Sequence, residues 1–212
     1  MPHAQTERAL ACDALRQAGP SAPTLCEGWD VHDLAAHLWV RENESHLAAG
    51  LVVPRLAGRL EQRRLEVRGL LSLDELVAAL RVGPPRLSPF GLPGADEAAN
   101  TVEYFVHGED VRRANPQLQP HPRDPALEDA LWRQLAGLGR LRLRRPPISV
   151  VLERSDTEAE PLRFGTGGRI ATVIGPPTEL TMLLSGRRGA ARVEIVADEG
   201  ARDELARMSL AL

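Results

Sequence analysis

The sequence predicts a mainly α-helical protein, in which an N-terminal four-helix bundle is followed by a small C-terminal α/β domain. Apolar residues recur at helical spacing through the first two thirds of the chain. The segment NPQLQPHPRDP has the proline-rich composition of a linker. After Pro146 and Pro147, short runs rich in β-branched residues replace the helical pattern. We therefore expect the bundle over residues 1–118 and the α/β domain over 142–212, with a helix over 124–141 that could pack on the bundle.

Capping signals mark the helices of the N-terminal part. Asp30 is a favourable N-cap and Asp33 follows it three residues later, as in a capping box. Ser72 and Glu75 have the same spacing, and Asp124 before a proline is typical of a helix start. With the apolar periodicity, these signals predict helices over 6–17, 31–49, 54–71, 72–82, 96–114 and 124–141. Residues 83–94 are too rich in proline and glycine for a helix.

The C-terminal part has the alternating and β-branched patterns of strands. These predict strands over 148–152, 161–164, 169–174 and 191–197, with helices over 176–185 and 201–208. The sequence Gly165-Thr166-Gly167-Gly168 is typical of a tight turn, which predicts a hairpin between the second and third of these strands. The small α/β domain is therefore expected to contain a mixed set of strands and two helices.

Composition excludes several classes of protein. The chain has 212 residues, 43% of them hydrophobic, and a net charge of −3, which gives a sizeable core but no basic footprint for nucleic acid. No apolar run is long enough to span a membrane, and the first residues lack a secretion signal, which predicts a cytoplasmic protein. All 26 basic residues are arginine, which excludes a lysine Schiff base or P-loop lysine. Two cysteines are too few for a disulfide framework.

Two histidines and a glutamate carry the chemistry that the sequence suggests. Glu103 and His107 are four residues apart, so they share one face of a helix, with Asn100 and Asp110 on the same stripe. His37 lies on an apolar helix that could face them. Two imidazoles and one carboxylate can bind a divalent cation and leave a position open, a donor set that suits zinc first, with nickel or iron as alternatives. A buried polar stripe also needs partners, and a cation satisfies several groups at once.

Simpler interpretations stay open at this point. Glu103 and His107 could form a helix-surface pair in a metal-free bundle, since such pairs are common at this spacing. His37 could be a hydrogen-bonded core histidine. Cys26 is interpreted as a small, inert, buried residue, because no histidine is adjacent to it in the sequence.

Three stretches resemble a known family. They are TLCEGWDVHDLAAHLWVRE, NTVEYFVHGEDVRRA and, less specifically, GPPTELTMLLSGR. They resemble the metal-binding relatives of mycothiol-dependent maleylpyruvate isomerase, which belong to the DinB-like superfamily of four-helix metalloproteins. The resemblance implies that His37, Glu103 and His107 bind the metal, at one end of a bundle over which the C-terminal domain closes. It also implies that Asp110 orients His107 or serves as an extra ligand.

The same resemblance implies a cofactor and a reaction class. Relatives use a low-molecular-weight thiol, mycothiol or bacillithiol, so we expect an S-transferase or a maleylpyruvate-isomerase-like enzyme in which a metal-activated thiolate attacks an electrophilic substrate. Arg41 lies one turn beyond His37 and could bind a carboxylate of the cofactor or substrate, or else pair with Glu42 or another carboxylate. Arg41 and Asp110 are thus the candidate catalytic residues. A non-catalytic metal-binding structural or partner-binding protein is the alternative, and the sequence leaves monomer and homodimer open.

Overall fold

The computed structural model of the protein describes residues 3–44, 54–85, 95–144 and 146–210. The chain divides into two compact units, Met1–Arg123 and Asp124–Leu212. The described part of the first unit is organised as helices, and that of the second combines helices with a four-stranded sheet. The predicted fold class is therefore confirmed. Among the helices described, none is both long and apolar enough to cross a membrane.

Two helices of the first unit begin where the capping signals place them. The Asp30 side chain accepts the Asp33 N–H at 2.9 Å, and Ser72 and Glu75 form the second capping box. The second helix ends at Asn43 with Glu44 as its C-cap, short of the predicted end at residue 49. Residues 45–49 and most of the loop over 83–94 lie outside the described residues. The helices are α1 (His3–Ala18), α2 (Val31–Asn43), α3 (Pro54–Leu70), α4 (Leu73–Val82) and α5 (Ala95–Ala114).

The first unit is held together by apolar faces from its helices. α5 packs along α1, α2 packs on α3 and α4, and α4 also contacts α1. Leu15, Leu34, Leu76 and Tyr104 are among the fully buried side chains of this core. Burial of each such side chain stabilises the fold by about 1.5–3 kcal/mol. This packing supports the polar residues that α2 and α5 carry within the same unit.

The second unit combines a mixed sheet with helices. Its elements are α6 (Pro125–Arg142), β1 (Ser149–Arg154), β2 (Leu162–Phe164), β3 (Ile170–Gly175), α7 (Pro177–Leu184), β4 (Glu194–Ala197) and α8 (Glu199–Arg207). The strand order is β2-β1-β3-β4, in which β1 pairs in parallel with β3 and the two outer pairs are antiparallel. α6 contacts α7 and β2. The division between units lies just before α6, whereas the sequence analysis ended the bundle at 118 and began the α/β domain at 142.

The predicted hairpin between β2 and β3 is wrong. Both strands pair with β1, one on each side, so β2 and β3 are not neighbours. The glycines between β2 and β3 lie where the chain passes close to the segment before β1, and they do not form a hairpin turn. A Cβ on Gly165 would lie 2.5 Å from the Pro146 side chain, and one on Gly167 would lie 2.7 Å from the Pro147 carbonyl oxygen. The chain therefore needs glycine to pass over the segment that leads into β1.

Candidate metal centre

The three predicted ligands converge between α2 and α5. Glu103 Oε1 lies 3.5 Å from His37 Nε2 and 3.2 Å from His107 Nε2. One ligand atom from each residue lies within 4.8 Å of the other two. The two imidazoles are buried, whereas 22% of the Glu103 side chain is exposed. Helical spacing brings Glu103 and His107 together, and the packing of the first unit brings His37 to them across 66 residues of sequence.

Arg41 lies on the same side of α2 and contacts Glu103. Its Nε is 3.3 Å from Glu103 Oε1, and its Nη1 donates a hydrogen bond to Asn100 Oδ1. Asn100 in turn donates to Glu42 Oε1 at 3.3 Å, and Arg8 Nη2 donates to the same oxygen at 2.6 Å. Arg41, Glu42, Asn100 and Arg8 are all buried. The structure thus shows the carboxylate pairing that the sequence analysis left open for Arg41, and the binding of a substrate or cofactor carboxylate stays a prediction.

Asp110 contacts the other nitrogen of His107. His107 Nδ1 donates to Asp110 Oδ2 at 2.9 Å, and the Asp110 side chain is fully buried. This contact keeps a proton on Nδ1, so that Nε2, the nitrogen facing Glu103 and His37, is the one that can bind a cation. The position of Asp110 fits the orienting role that the resemblance implies for it.

Cys26 is the site residue that sequence reasoning missed. Its Sγ lies 3.2 Å from Asp110 Oδ2 and 4.0 Å from His107 Nδ1, and the side chain is partly exposed. Cys26, His107 and Asp110 form a second group whose donor atoms lie within 4.8 Å of one another. Cys26 lies 84 residues from Asp110, so local spacing could not reveal the contact; the only sequence signal was its position just before α2.

Trp29 completes the surroundings of His37. The ring centroids of Trp29 and His37 are 5.1 Å apart in a tilted arrangement, and the two histidine rings meet edge to face at 5.4 Å. The Arg64 guanidinium lies over the Trp29 ring, 4.7 Å from its centroid. Aromatic packing of this kind restricts the rotation of the imidazole. His37 is therefore oriented by packing, whereas His107 is oriented by a hydrogen bond.

The electrostatics of the three groups differ. Burial opposes ionisation of Glu103, yet Arg41 and the two histidines hold its pKa well below the usual value. Burial lowers the pKa of His37, and the neighbouring His107 and Arg41 lower it further. Burial also acts against protonation of His107, but hydrogen bonds with Asp110, Cys26 and Glu103 raise its pKa well above the usual value. These shifts in pKa favour a carboxylate at Glu103, a neutral imidazole at His37 and an imidazolium at His107.

These residues fit a divalent cation. The carboxylate and the neutral imidazole already have the protonation states that metal ligands need. His107 has to lose only its Nε2 proton, since its Nδ1 proton stays in the hydrogen bond with Asp110. Two nitrogen donors and one oxygen donor suit zinc, nickel and ferrous iron better than magnesium, which prefers oxygen ligands.

One family comparison bears on the site. The family model of the mycothiol maleylpyruvate isomerase N-terminal domain matches residues 2–112. All the residues described above, from Arg8 to Asp110, fall inside the matched range. Comparison with curated proteins and with solved structures found no significant match.

Proposed function

The chain belongs to the mycothiol maleylpyruvate isomerase N-terminal domain family, within the DinB-like superfamily, and on that premise we propose that it is a divalent-metal-dependent enzyme that uses a low-molecular-weight thiol. The proposed metal ligands are His37, Glu103 and His107, with zinc as the first candidate and nickel or iron as alternatives. The proposed thiol is mycothiol or bacillithiol, and the proposed reaction is S-transfer to, or isomerisation of, an electrophilic substrate.

One observation carries the proposal. Nε2 of His37, Nε2 of His107 and Oε1 of Glu103 face one another across two helices. The Glu103 oxygen lies 3.5 Å from the His37 nitrogen and 3.2 Å from the His107 nitrogen. A helix-surface pair would explain two of these groups but not the third, which comes from a different helix. The Glu103 side chain is partly exposed to solvent, whereas both imidazoles are buried. Three protein ligands with an accessible position are typical of catalytic metal sites.

The chain's own residues prepare this centre in separate ways. A bound divalent cation supplies a Lewis acid that lowers the pKa of an adjacent thiol, which free in water is near 8.5 and mostly protonated. Asp110 holds the Nδ1 proton of His107 and so directs Nε2 inwards. Arg41 lowers the pKa of Glu103 and so favours its carboxylate form. Asn100 accepts a hydrogen bond from the Arg41 guanidinium and holds it in place. Arg41 also stays our candidate for binding a carboxylate of the thiol or the substrate.

Metal content is the first test. The wild-type protein, purified without added chelator, is compared by elemental analysis with the double variant His37→Ala, His107→Ala. We expect about one divalent ion per chain in the wild type and almost none in the double variant. His32→Ala is the matched control, because His32 lies on the same helix but its Nε2 contacts the Leu71 carbonyl oxygen at 2.8 Å. Equal metal content in the wild type and the double variant would reject the proposed ligands.

Thiol use is the second test, and it separates the enzyme from the structural alternative. The contacts from Glu103 through Arg41 and Asn100 to Glu42 are the observation that favours this alternative, because they join α2 to α5 and a cation bound beside them would join the same two helices. In the cobalt-substituted protein, we expect added mycothiol to change the visible absorption of the metal. If metal removal lowers the melting temperature but no thiol alters that spectrum, the metal is structural.

A further inference from the structure

The loop that precedes α2, residues 24–29, has a conformation fixed by its own hydrogen bonds. Thr24 Oγ1 accepts the Cys26 N–H at 3.1 Å and donates to the Trp29 carbonyl oxygen at 2.8 Å. The Trp29 N–H donates to the Cys26 carbonyl oxygen at 3.0 Å. These short-range contacts fix the backbone of the loop and with it the direction of the Cys26 Cα–Cβ bond, so the side chain leaves the loop at a defined position.

The same loop is joined to α5 at Asp110 through two hydrogen bonds. The Leu25 N–H donates to the Asp110 carbonyl oxygen at 3.1 Å, and the Cys26 thiol donates to Asp110 Oδ2 at 3.2 Å. Oδ2 is also the oxygen that accepts the His107 Nδ1–H at 2.9 Å. Cys26 and His107 therefore share one carboxylate oxygen, and that oxygen is fully buried with its residue.

We propose that Cys26 is a positioning residue of the metal centre, which acts on His107 through Asp110. The proposal rests on the metal-binding role proposed above for His107. The Cys26 thiol in the loop and the His107 ring on α5 donate to Oδ2 from two different elements, and together they limit rotation of the carboxylate about its Cβ–Cγ bond. With Oδ2 fixed, the His107 ring is held with Nε2 towards Glu103 and His37. The loop thereby orients both histidines, because Cys26 acts on His107 through Asp110 and Trp29 packs against His37.

Two replacements separate hydrogen bonding from packing. Cys26→Ser retains a donor of similar length, and Cys26→Ala removes the donor. Cys12→Ala is the matched control, because it removes the chain's other thiol, whose Sγ contacts the Val77 carbonyl oxygen in the core at 4.0 Å. Circular dichroism of each variant establishes that it folds, so that a loss of binding is not read from an unfolded chain.

The affinity for zinc ion is measured by competition with a chromophoric chelator. Partners that hydrogen-bond directly to a metal ligand change affinity by about 10–100-fold, and Cys26 acts one contact further out, so we expect about a 3–10-fold weaker affinity in Cys26→Ala. Cys26→Ser and Cys12→Ala are expected to stay within about twofold of the wild type on the same reasoning. An unchanged or tighter affinity in Cys26→Ala overturns the proposal.

A second readout works without any metal. The His107 Nδ1 proton gives a nuclear magnetic resonance signal whose exchange with water reports how firmly it is held by Asp110. We expect slow exchange in the wild type and Cys26→Ser, and clearly faster exchange in Cys26→Ala. Equal exchange in all three contradicts the positioning role, even if the ligands proposed above prove wrong. Conversely, metal binding that depends on His37 and His107 but not on Cys26 refutes only the present inference.

Direct ligation by Cys26 is the remaining outcome that would overturn the proposal. Cys26, His107 Nδ1 and Asp110 lie close enough to bind a cation themselves. In the cobalt-substituted wild type, a thiolate ligand would produce an intense near-ultraviolet charge-transfer band that disappears in Cys26→Ala. We expect no such band, because the positioning role keeps the thiol proton in its hydrogen bond with Asp110.

Discussion

Glycine 139 offers a test of how α6 packs on the sheet. A Cβ added at Gly139 would lie within 2.8 Å of three ring carbons of Phe164 in β2. Ordinary contacts between carbon atoms are about 3.5–4.0 Å, so the ring would have to move by about 1 Å. Phe164 is buried, and its backbone is paired with Val150 of β1, which limits the room for that movement.

The magnitude follows from two opposing effects. Overpacking a core by one methyl group typically costs about 1–3 kcal/mol, whereas replacing glycine by alanine inside a helix gains about 1 kcal/mol. We therefore expect Gly139→Ala to lower the free energy of unfolding by about 0–2 kcal/mol. Gly137→Ala is the matched control, because Gly137 lies in the same helix and a Cβ there meets nothing within 4 Å. That variant should gain about 0.5–1 kcal/mol.

Equilibrium unfolding in urea, followed by circular dichroism, measures both variants against the wild type. Comparable slopes of free energy against urea concentration would show that the same surface is exposed in each case, so the shift in midpoint reports stability. The reasoning is refuted if Gly139→Ala is as stable as Gly137→Ala. That result would also argue against the grouping of α6 with the sheet.

Two further predictions concern the cysteines and a buried histidine. A thiol reagent should label Cys26 in the native protein and Cys12 only on unfolding, because burial raises the pKa of the Cys12 thiol to about 11; mass spectrometry of digests locates the label, and fast labelling of Cys12 would contradict it. Burial acts to lower the pKa of His121, but the hydrogen bond between His121 and Glu7 at 2.8 Å outweighs burial and raises that pKa. The charged pair therefore stabilises the fold below about pH 6.5, and this stabilisation is lost as the pH rises through the raised pKa of His121. His121→Gln should thus destabilise the protein by about 1 kcal/mol at pH 6 and by less at pH 9 in urea unfolding, and an equal loss at both pH values would exclude the charged pair.

The sequence predicted best those features that depend on neighbouring residues. The capping residues Asp30, Ser72 and Asp124 begin helices as expected, because each interacts with a backbone N–H two or three residues away. Such contacts involve only residues that are close in the sequence. The described helices of the first unit all lie where the sequence predicted helices, those without a capping signal from their apolar periodicity, although their ends differ by a few residues.

Features that depend on distant pairing were predicted less well. The glycines over 165–168 have the composition of a hairpin turn, which predicted that β2 pairs with β3. In the structure β2 pairs with β1, the strand that precedes it in the sequence, and β3 pairs with the other edge of β1. The contact of Cys26 with Asp110 was missed for the same reason, since nothing in either neighbourhood specifies the other. The association of His37 with Glu103 and His107 was predicted across a similar distance, because the resemblance and the donor chemistry specified it.

The role of Arg41 shows where sequence and structure have to be combined. The sequence offered a substrate carboxylate or a neighbouring carboxylate as its partner, and the structure places it 3.3 Å from Glu103, on the oxygen that also faces both histidines. A guanidinium at this position lowers the pKa of Glu103 and so favours the ionised carboxylate that a metal ligand needs to be, but its positive charge also repels an incoming cation. The loss of the Nε2 proton from His107 offsets that repulsion, because one positive charge leaves as the cation enters. Metal binding should therefore release about one proton per chain near neutral pH, in keeping with the raised pKa of His107. That coupling follows from the arrangement of three charged groups around a single carboxylate oxygen, which no local sequence pattern specifies.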